Sequence, residues 1–302
     1  MGKYTKHKMK LSVVLATLNE EENIAACIDS VKSIVDEIVV VDEGSTDKTR
    51  EIAKQYGARV FKVKHEAIFH KTKQKAIDKA KGDWILQMDA DERVTSELAK
   101  EINAVVRMKN EEIIKYYNSQ KSKHSKINKL FQRHQRLIEQ REGRLGNETG
   151  EVVAFFVPRV NFFLGKPLKY AGVYPDGVIR LIKQGRARLP SKSVHELMEI
   201  DGEVAWFYSN LEHHDSPTLN RYLKRANRYT DLSAEEFERI KLPHNLLFLI
   251  HYSFTKPLLV FLSLYVRHKG VLDGMRGFVW SLFSALHFPL AYFKYWQLSK
   301  DD

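Results

Sequence analysis

The chain has 302 residues and a mass of 35.2 kDa, with 43% hydrophobic, 29% charged and 11% aromatic side chains. That apolar fraction suits one large or two ordinary globular domains and excludes disorder as the main theme; Cys27, the single cysteine, excludes a disulfide scaffold and fits a reducing compartment. A formal net charge of +11 and a pI near 9.4 imply an anionic neighbour, whether nucleic acid, phosphate esters or an acidic membrane surface.

Lys3, Lys6, Lys8 and Lys10 precede an apolar run at 11–18 in the manner of a targeting segment. The run is short, lacks a small-residue cleavage site and stops at Asn19, Glu20, Glu21 and Glu22, so it reads as a buried first strand over 11–16. Asn19 is expected to cap the next helix, with Glu22 in the capping-box position and Ile24, Ile28, Val31 and Ile34 as its apolar stripe. A second strand, 38–41, ends at Asp42; a helix over 47–56 stops at Gly57; a third strand covers 59–63. A helix over 71–80 leads to a fourth strand, 84–88, which ends at Asp89, and Ser96 stands where it can cap the helix after that. Such alternation with short links implies a parallel sheet between layers of helices.

Residues 109–150 are rich in Lys, Arg, Gln and Asn, the composition of a solvated helical insertion or flap, or of an arm that meets an anionic ligand or a membrane. Strand-like runs at 152–157 and 178–182 and a charged helical stretch at 219–240 follow. Two apolar stretches come last, 246–266, interrupted by His251, Lys256 and Pro257, and 278–296, interrupted by His287, Pro289 and Lys294. Flanked by Lys241, Arg267, Lys269 and Arg276, they favour lying in a membrane interface over spanning it, with a buried or dimer-forming helix pair as the alternative. The expected organisation is an α/β domain over 1–240, carrying the basic insertion at 109–150, and a helical membrane-associating or dimerising tail over 241–302.

In open parallel sheets, ligands bind at the carboxyl ends of the strands. Three such ends carry distinctive residues: Ala16-Thr17-Leu18-Asn19-Glu20, Asp42-Glu43-Gly44-Ser45-Thr46-Asp47 and Asp89-Ala90-Asp91-Glu92. The glycine fingerprint of a dinucleotide fold is absent after the first strand. Carboxylates beside a phosphate repel it unless a cation intervenes, and the oxygens of a D-x-D pair suit Mg²⁺ or Mn²⁺ bridging to a diphosphate. A D-x-D pair alone is common on surface turns; this one follows a Trp-Ile-Leu-Gln-Met strand and is aligned with two other ligand-poised strand ends.

LSVVLATLNEEENI, IVVVDEGSTDKT and GDWILQMDADE together resemble the nucleotide-sugar-binding half of family 2 glycosyltransferases, which have the GT-A fold. NFFLGK, YPDGVIRLIKQGRA, SVHE and LEHHDSPTLNRYLKRANRYT are similar to the bacterial lipopolysaccharide-core β-glucosyltransferase-like branch. The resemblance implies a Rossmann-like domain with a mixed central sheet and a metal-dependent, inverting transfer of a sugar from a nucleotide diphosphate, with uracil as the favoured base. The acceptor would be a hydroxyl of a glycolipid or polysaccharide precursor of the bacterial cell envelope. It places Thr17, Asn19 and Glu20 around the nucleoside, Asp42 or Glu43 on the base, Asp89 on the ribose or metal, and Asp91 as the main ligand of Mg²⁺ or Mn²⁺. Lys71, Lys73 and Gln74 would contact the diphosphate or remain solvated, and His213 or His214 would add a metal ligand or belong to a polar turn. Glu196 is the first candidate for the base that takes the acceptor proton and Asp176 the second; His195 is an acceptor or phosphate contact or a structural histidine. Arg180 would meet an acceptor phosphate or form a structural ion pair.

Two other functions compete. A polyprenyl-phosphate glycosyltransferase would share the donor half, and a nucleic-acid-binding module would account for the charge, although the insertion lacks aromatic interleaving and no known binding motif is present. The expected partners are a nucleotide-sugar donor, a glycolipid or saccharide acceptor, an anionic membrane surface and a second copy of the chain, without nucleic acid. A lipid acceptor and a cytosolic donor meet at the cytoplasmic face of the membrane, the expected place of work.

Overall fold

The first apolar run forms β1 (Leu11–Thr17), all seven residues of which are buried in the computed structural model, which describes residues 11–66, 68–190 and 198–298. After α1 (Ile24–Val31), β2 (Glu37–Asp42) pairs with β1 in parallel; after α2 (Thr49–Gln55), β3 (Arg59–Lys62) pairs with β2. The chain then crosses back through α3 (Phe69–Asp78) to β4 (Trp84–Met88), on the other side of β1. Shielded on both faces, β1, β2 and β4 read as near-continuous apolar runs, whereas β3, at the edge, is only half-buried. α1 buries Ile24, Cys27, Ile28 and Val31, the repeat of one helical face. Gly57, at φ +77°, takes up the left-handed turn that stops α2.

Beyond β4 the direction changes. β5 (Glu92–Val94), α4 (Ser96–Val105), α5 (Asn110–Lys123) and α6 (Ser125–Glu142) precede β6 (Val152–Phe163), β7 (Lys166–Pro167) and β8 (Asp176–Lys183). β8 lies antiparallel to β4 and β6 antiparallel to β8, so the sheet is mixed, in the order β3-β2-β1-β4-β8-β6. β9 (Ala187–Arg188) and β10 (Glu199–Ile200) make a separate small ribbon; β11 (Glu203–Trp206) pairs with β6, and β12 (Leu211–Ser216) with β5. The order of the parallel strands reverses at β1 and β4, so the loops after these two strands are the ligand-poised ones.

The chain divides into two compact units, one of Met1–Arg159 with Pro175–His213 and the other of Val160–Tyr174 with His214–Asp302. The second unit is mostly helical. In it α10 (Met275–Leu298) lies along α7 (Leu219–Arg239), and α8 (Leu246–Ile250) runs through a π-helical turn into α9 (Lys256–Leu262). Its core is aromatic: Tyr252 stacks on Tyr292 with centroids 5.4 Å apart, near Ala234, Leu242 and Tyr295.

Several local expectations are corrected. Asn19 does not cap α1, because its backbone is left-handed (φ +55°) and its side chain is turned to the loop after β2. Thr95, not Ser96, caps α4 by accepting from the Leu98 amide at 3.2 Å. The insertion is helical, as expected, but one face is docked. Phe131 is fully buried and stacks on Trp206 at 4.5 Å, Gln135 accepts from the Trp206 indole at 3.0 Å, and Asn128 accepts from the Tyr208 hydroxyl at 2.9 Å.

At the amino end of β2, Glu37 accepts from the Ser12 hydroxyl (2.6 Å) and the Lys81 amide (2.9 Å) and pairs with Arg59. Burial alone would raise its carboxyl pKa, but these partners hold it below the ordinary 4.5. The native group therefore binds protons more weakly than the unfolded one; its stabilisation is complete above the ordinary value and is lost as the pH falls through the native value. Glu37→Gln should cost about 1–3 kcal/mol at neutral pH and reduce the loss of stability on acidification, measured as urea midpoints from neutral to acidic pH.

Candidate active site

The loops after β1 and β2 are tied together by one carboxylate. Asp42, fully buried, accepts from the Thr17 hydroxyl (3.0 Å), the Ser45 hydroxyl (2.5 Å) and the amides of Gly44 (3.1 Å) and Ser45 (2.9 Å). Asn19 accepts from the Thr46 amide at 2.8 Å and donates its own amide to Ser45 Oγ at 2.9 Å; the Glu20 amide donates to Thr49 Oγ1 at 2.7 Å. Thr17, Asn19, Glu20 and Asp42 thus converge. Glu43 is close by in sequence but committed elsewhere, to Thr72 and, at 2.6 Å, to His65.

The turn after β4 is held by charge. Its own Glu92, fully buried, accepts from the Asp89 amide at 3.0 Å and so closes the Asp89–Glu92 turn. Arg180, reaching across from β8, meets Asp89 at 2.6 Å, Glu92 at 2.6 Å and the Gln87 amide oxygen at 2.6 Å. Lys73, the fifth residue of α3, reaches the other oxygen of Asp89 at 2.5 Å. Burial alone would raise the Asp89 carboxyl, yet Arg180 and Lys73 hold it well below the usual range. Lys71 and Gln74 are turned elsewhere, the one 3.9 Å from Glu66 and the other accepting from the Leu189 amide at 2.8 Å.

Asp91 points away from this cluster toward His213 of β12, with Nε2 and Oδ2 3.6 Å apart. Burial raises the Asp91 carboxyl and lowers the imidazole, but their mutual attraction outweighs it, and the pair is held toward carboxylate and imidazolium. Successive strand residues face opposite ways, so His214 cannot join; its ring stacks on Phe162 at 4.1 Å. An oxygen donor from the turn after β4 and an imidazole from β12 are a chemically suitable pair for Mg²⁺ or Mn²⁺, with both side chains under a fifth exposed (18% and 13%). Among the described residues no cluster of three such donors exists.

Asp176 opens β8 and pairs with Arg159 at 2.7 Å, and Arg159 in turn meets Glu92 at 3.3 Å. The adjoining Gly177 donates its amide to His134 Nε2 of the insertion at 3.2 Å, and a Cβ there would come within 2.3 Å of the Trp206 ring. The site includes Glu92, Arg159, Gln87 and His134, none of which the sequence singles out as a site residue. Glu92 had the strongest signal, adjoining the D-x-D pair; Arg159 and His134 become neighbours only through the antiparallel strands and the docked α6. His195 and Glu196 lie outside the described residues.

The family model described as glycosyl transferase family 2 matches residues 12–156. An uncharacterised glycosyltransferase of Rickettsia typhi is 30% identical over 204 residues, covering 59% of this chain and 70% of that protein. A second one, from Rickettsia felis, is 44% identical over 103 residues, and the match spans only 36% of that relative. The lipopolysaccharide core biosynthesis glycosyltransferase LpsC of Rhizobium meliloti is 25% identical over 297 residues, 96% of this chain and 93% of that protein. The chain belongs to glycosyltransferase family 2; its mixed sheet has the GT-A fold, and a helical C-terminal region follows it.

Arg180 is a buried cation between two carboxylates, so its removal should be costly. Arg180→Met leaves Asp89 and Glu92 facing one another and should lower stability by about 3–5 kcal/mol in urea unfolding. Loss of less than about 1 kcal/mol would mean that the charges are not desolvated together.

Proposed function

We propose that this family 2 glycosyltransferase moves a sugar, with inversion, from a nucleotide diphosphate, UDP before others, to a hydroxyl of a glycolipid or polysaccharide precursor in the bacterial cell envelope, working at the cytoplasmic face of the membrane. One observation carries the donor half of this reading: Asp91 and His213 converge beside a neighbouring Asp89 that two cations already occupy. The near full-length likeness to LpsC, a protein named for lipopolysaccharide core biosynthesis, supports the acceptor half.

In this reading the hydrogen-bonded loops around Asp42 form a fixed floor for the nucleoside, with Thr17, Asn19 and Glu20 on it and Glu43 beside it. Asp91 and His213 would hold Mg²⁺ or Mn²⁺, which when bound offsets the charge that develops on the departing diphosphate. Lys73, reaching from α3 to Asp89, places its ammonium where a diphosphate oxygen can share it. Glu196 takes the proton of the acceptor hydroxyl as that oxygen attacks the anomeric carbon. Asp176, engaged by Arg159, is the second candidate for that role, and His195 and Arg180 are assigned to the acceptor side, Arg180 through the carboxylates it positions.

Asp91→Asn and His213→Ala should each lower donor turnover by orders of magnitude, with the circular dichroism spectrum unchanged; full turnover in either variant, or in excess chelator, would remove the metal from the reading. Glu196→Gln should reduce transfer to acceptor by about 10²–10⁴ while donor binding, measured by calorimetry, stays level. Near wild-type transfer in that variant together with loss in Asp176→Asn would exchange the two carboxylates' roles.

A further inference from the structure

The second unit carries a surface that its own fold does not cover. Residues Leu246–Arg267 form a continuous helical run of 22 residues whose most apolar 18-residue stretch has a mean hydropathy of 1.5 and is only 6% buried. Leu247, Phe254, Leu258, Leu262 and Val266 are exposed, Leu247 by 76% and Phe254 by 70%. From Phe254 onward they recur every fourth residue, a spacing that drifts around an α-helix but is brought back by π-helical turns, which hold more residues per turn. Two such turns, His251–Thr255 and Ser263–Arg267, lie in this run and keep the apolar row on one side.

The row leads into a tip. After Arg267 the backbone turns at Lys269, in the left-handed region at φ +58°, into a single 3₁₀ turn, Gly270–Asp273. Val271, Leu272 and Met275 stand out from this turn, Met275 by 74%, with Arg267 and Lys269 exposed beside them. The tip is braced: a Cβ on Gly277 would lie 1.8 Å from the Gly270 carbonyl oxygen, so turn and α10 backbone touch. Exposed apolar side chains on a braced turn carry no benefit to a chain surrounded by water.

Charge identifies what covers them. The row and its tip, residues 246–276, hold four cations, Lys256, Arg267, Lys269 and Arg276, and one acid, Asp273. That carboxylate is turned inward, accepting from the amides of Lys169 (3.3 Å) and Tyr170 (2.8 Å). A second copy placed on this face by two-fold symmetry would set cations against cations. A spanning helix would bring Lys256, near the middle of the run, to the bilayer centre. An anionic headgroup layer satisfies both the apolar row and its cationic rim.

We infer that residues 266–276 are an insertion tip that seats the Leu246–Arg267 helix in the headgroup region of an anionic phospholipid bilayer. This names the contact surface for the membrane location proposed above, and is independent of the transfer chemistry.

The test is co-sedimentation of the full chain, without donor or acceptor, with phosphatidylcholine vesicles lacking or containing phosphatidylglycerol, across a salt series. Binding should require the anionic lipid and weaken with salt, and either Val271→Asp with Leu272→Asp or Arg267→Gln with Lys269→Gln should lower it at least tenfold. These positions are exposed, and both variants should keep their circular dichroism and donor turnover, so lost binding is distinguished from lost fold or lost chemistry. Equal binding to both vesicles, binding indifferent to the tip variants, resistance to alkaline extraction (a spanning helix), or a dimer in light scattering that the tip substitutions dissociate would each overturn the inference.

Discussion

The placement of Arg180 between Asp89 and Glu92 is the constraint on which the centre of the first unit depends. A guanidinium this deeply buried is tolerable only with its donors matched, and Asp89, Glu92 and Gln87 supply the acceptors. The register that achieves this is set by the antiparallel pairing of β8 with β4, in which Leu181 lies opposite Leu86. With one oxygen of Asp89 on Arg180 and the other on Lys73, this carboxylate is occupied, and the turn directs Asp91 to His213 instead. The turn therefore separates two carboxylates that the sequence presents as a like pair. One organises the protein and the other faces His213.

A parallel division holds for the loops after β1 and β2. Asp42 spends its acceptor capacity on loop backbone and hydroxyls, which fixes the position of Thr17 and Asn19 relative to one another. Fixed donors and acceptors of this kind need little reorganisation when a ligand arrives. Asn19 illustrates the compromise: it gives up the capping of α1 and takes a left-handed backbone, which Asn tolerates better than most residues, to bridge the loops.

Much of this fold is legible in the sequence because parallel strands buried on both faces need near-continuous apolar runs, and Leu11–Thr17, Glu37–Asp42 and Trp84–Met88 contain such runs. The docking of α6 is not legible in the same way. Its inward face carries Ile127, Phe131 and Ile138 but also Asn128 and Gln135, whose polar side chains pair with the hydroxyl of Tyr208 and the indole of Trp206, so its apolar stripe is thin and interrupted among the surrounding lysines and arginines. Glu92 and Arg159 were hidden for another reason. Their significance arises from contacts between residues far apart in the chain, and no local spacing encodes which carboxylate an arginine will face. The D-x-D pair, by contrast, announces itself, but not which of its members is occupied.

The distribution of charge separates the parts of the molecule. The insertion, residues 109–150, holds ten cations and five acids, and the tail, residues 241–302, holds seven cations and three acids. Together they account for +9 of the chain's net +11, so the remainder is close to neutral. The excess charge that made an anionic partner plausible is therefore located in the insertion and the tail. Around the candidate site the balance is different: Asp89, Asp91, Glu92 and Asp176 stand against Lys73, Arg159 and Arg180. Four carboxylates and three fixed cations do not make an electropositive cradle, and a diphosphate brought to them meets repulsion that Lys73, already shared with Asp89, relieves only in part. In the proposed reaction this deficit is the physical reason for a divalent cation: it supplies the positive charge that the site lacks, at the one carboxylate not already matched by Lys or Arg.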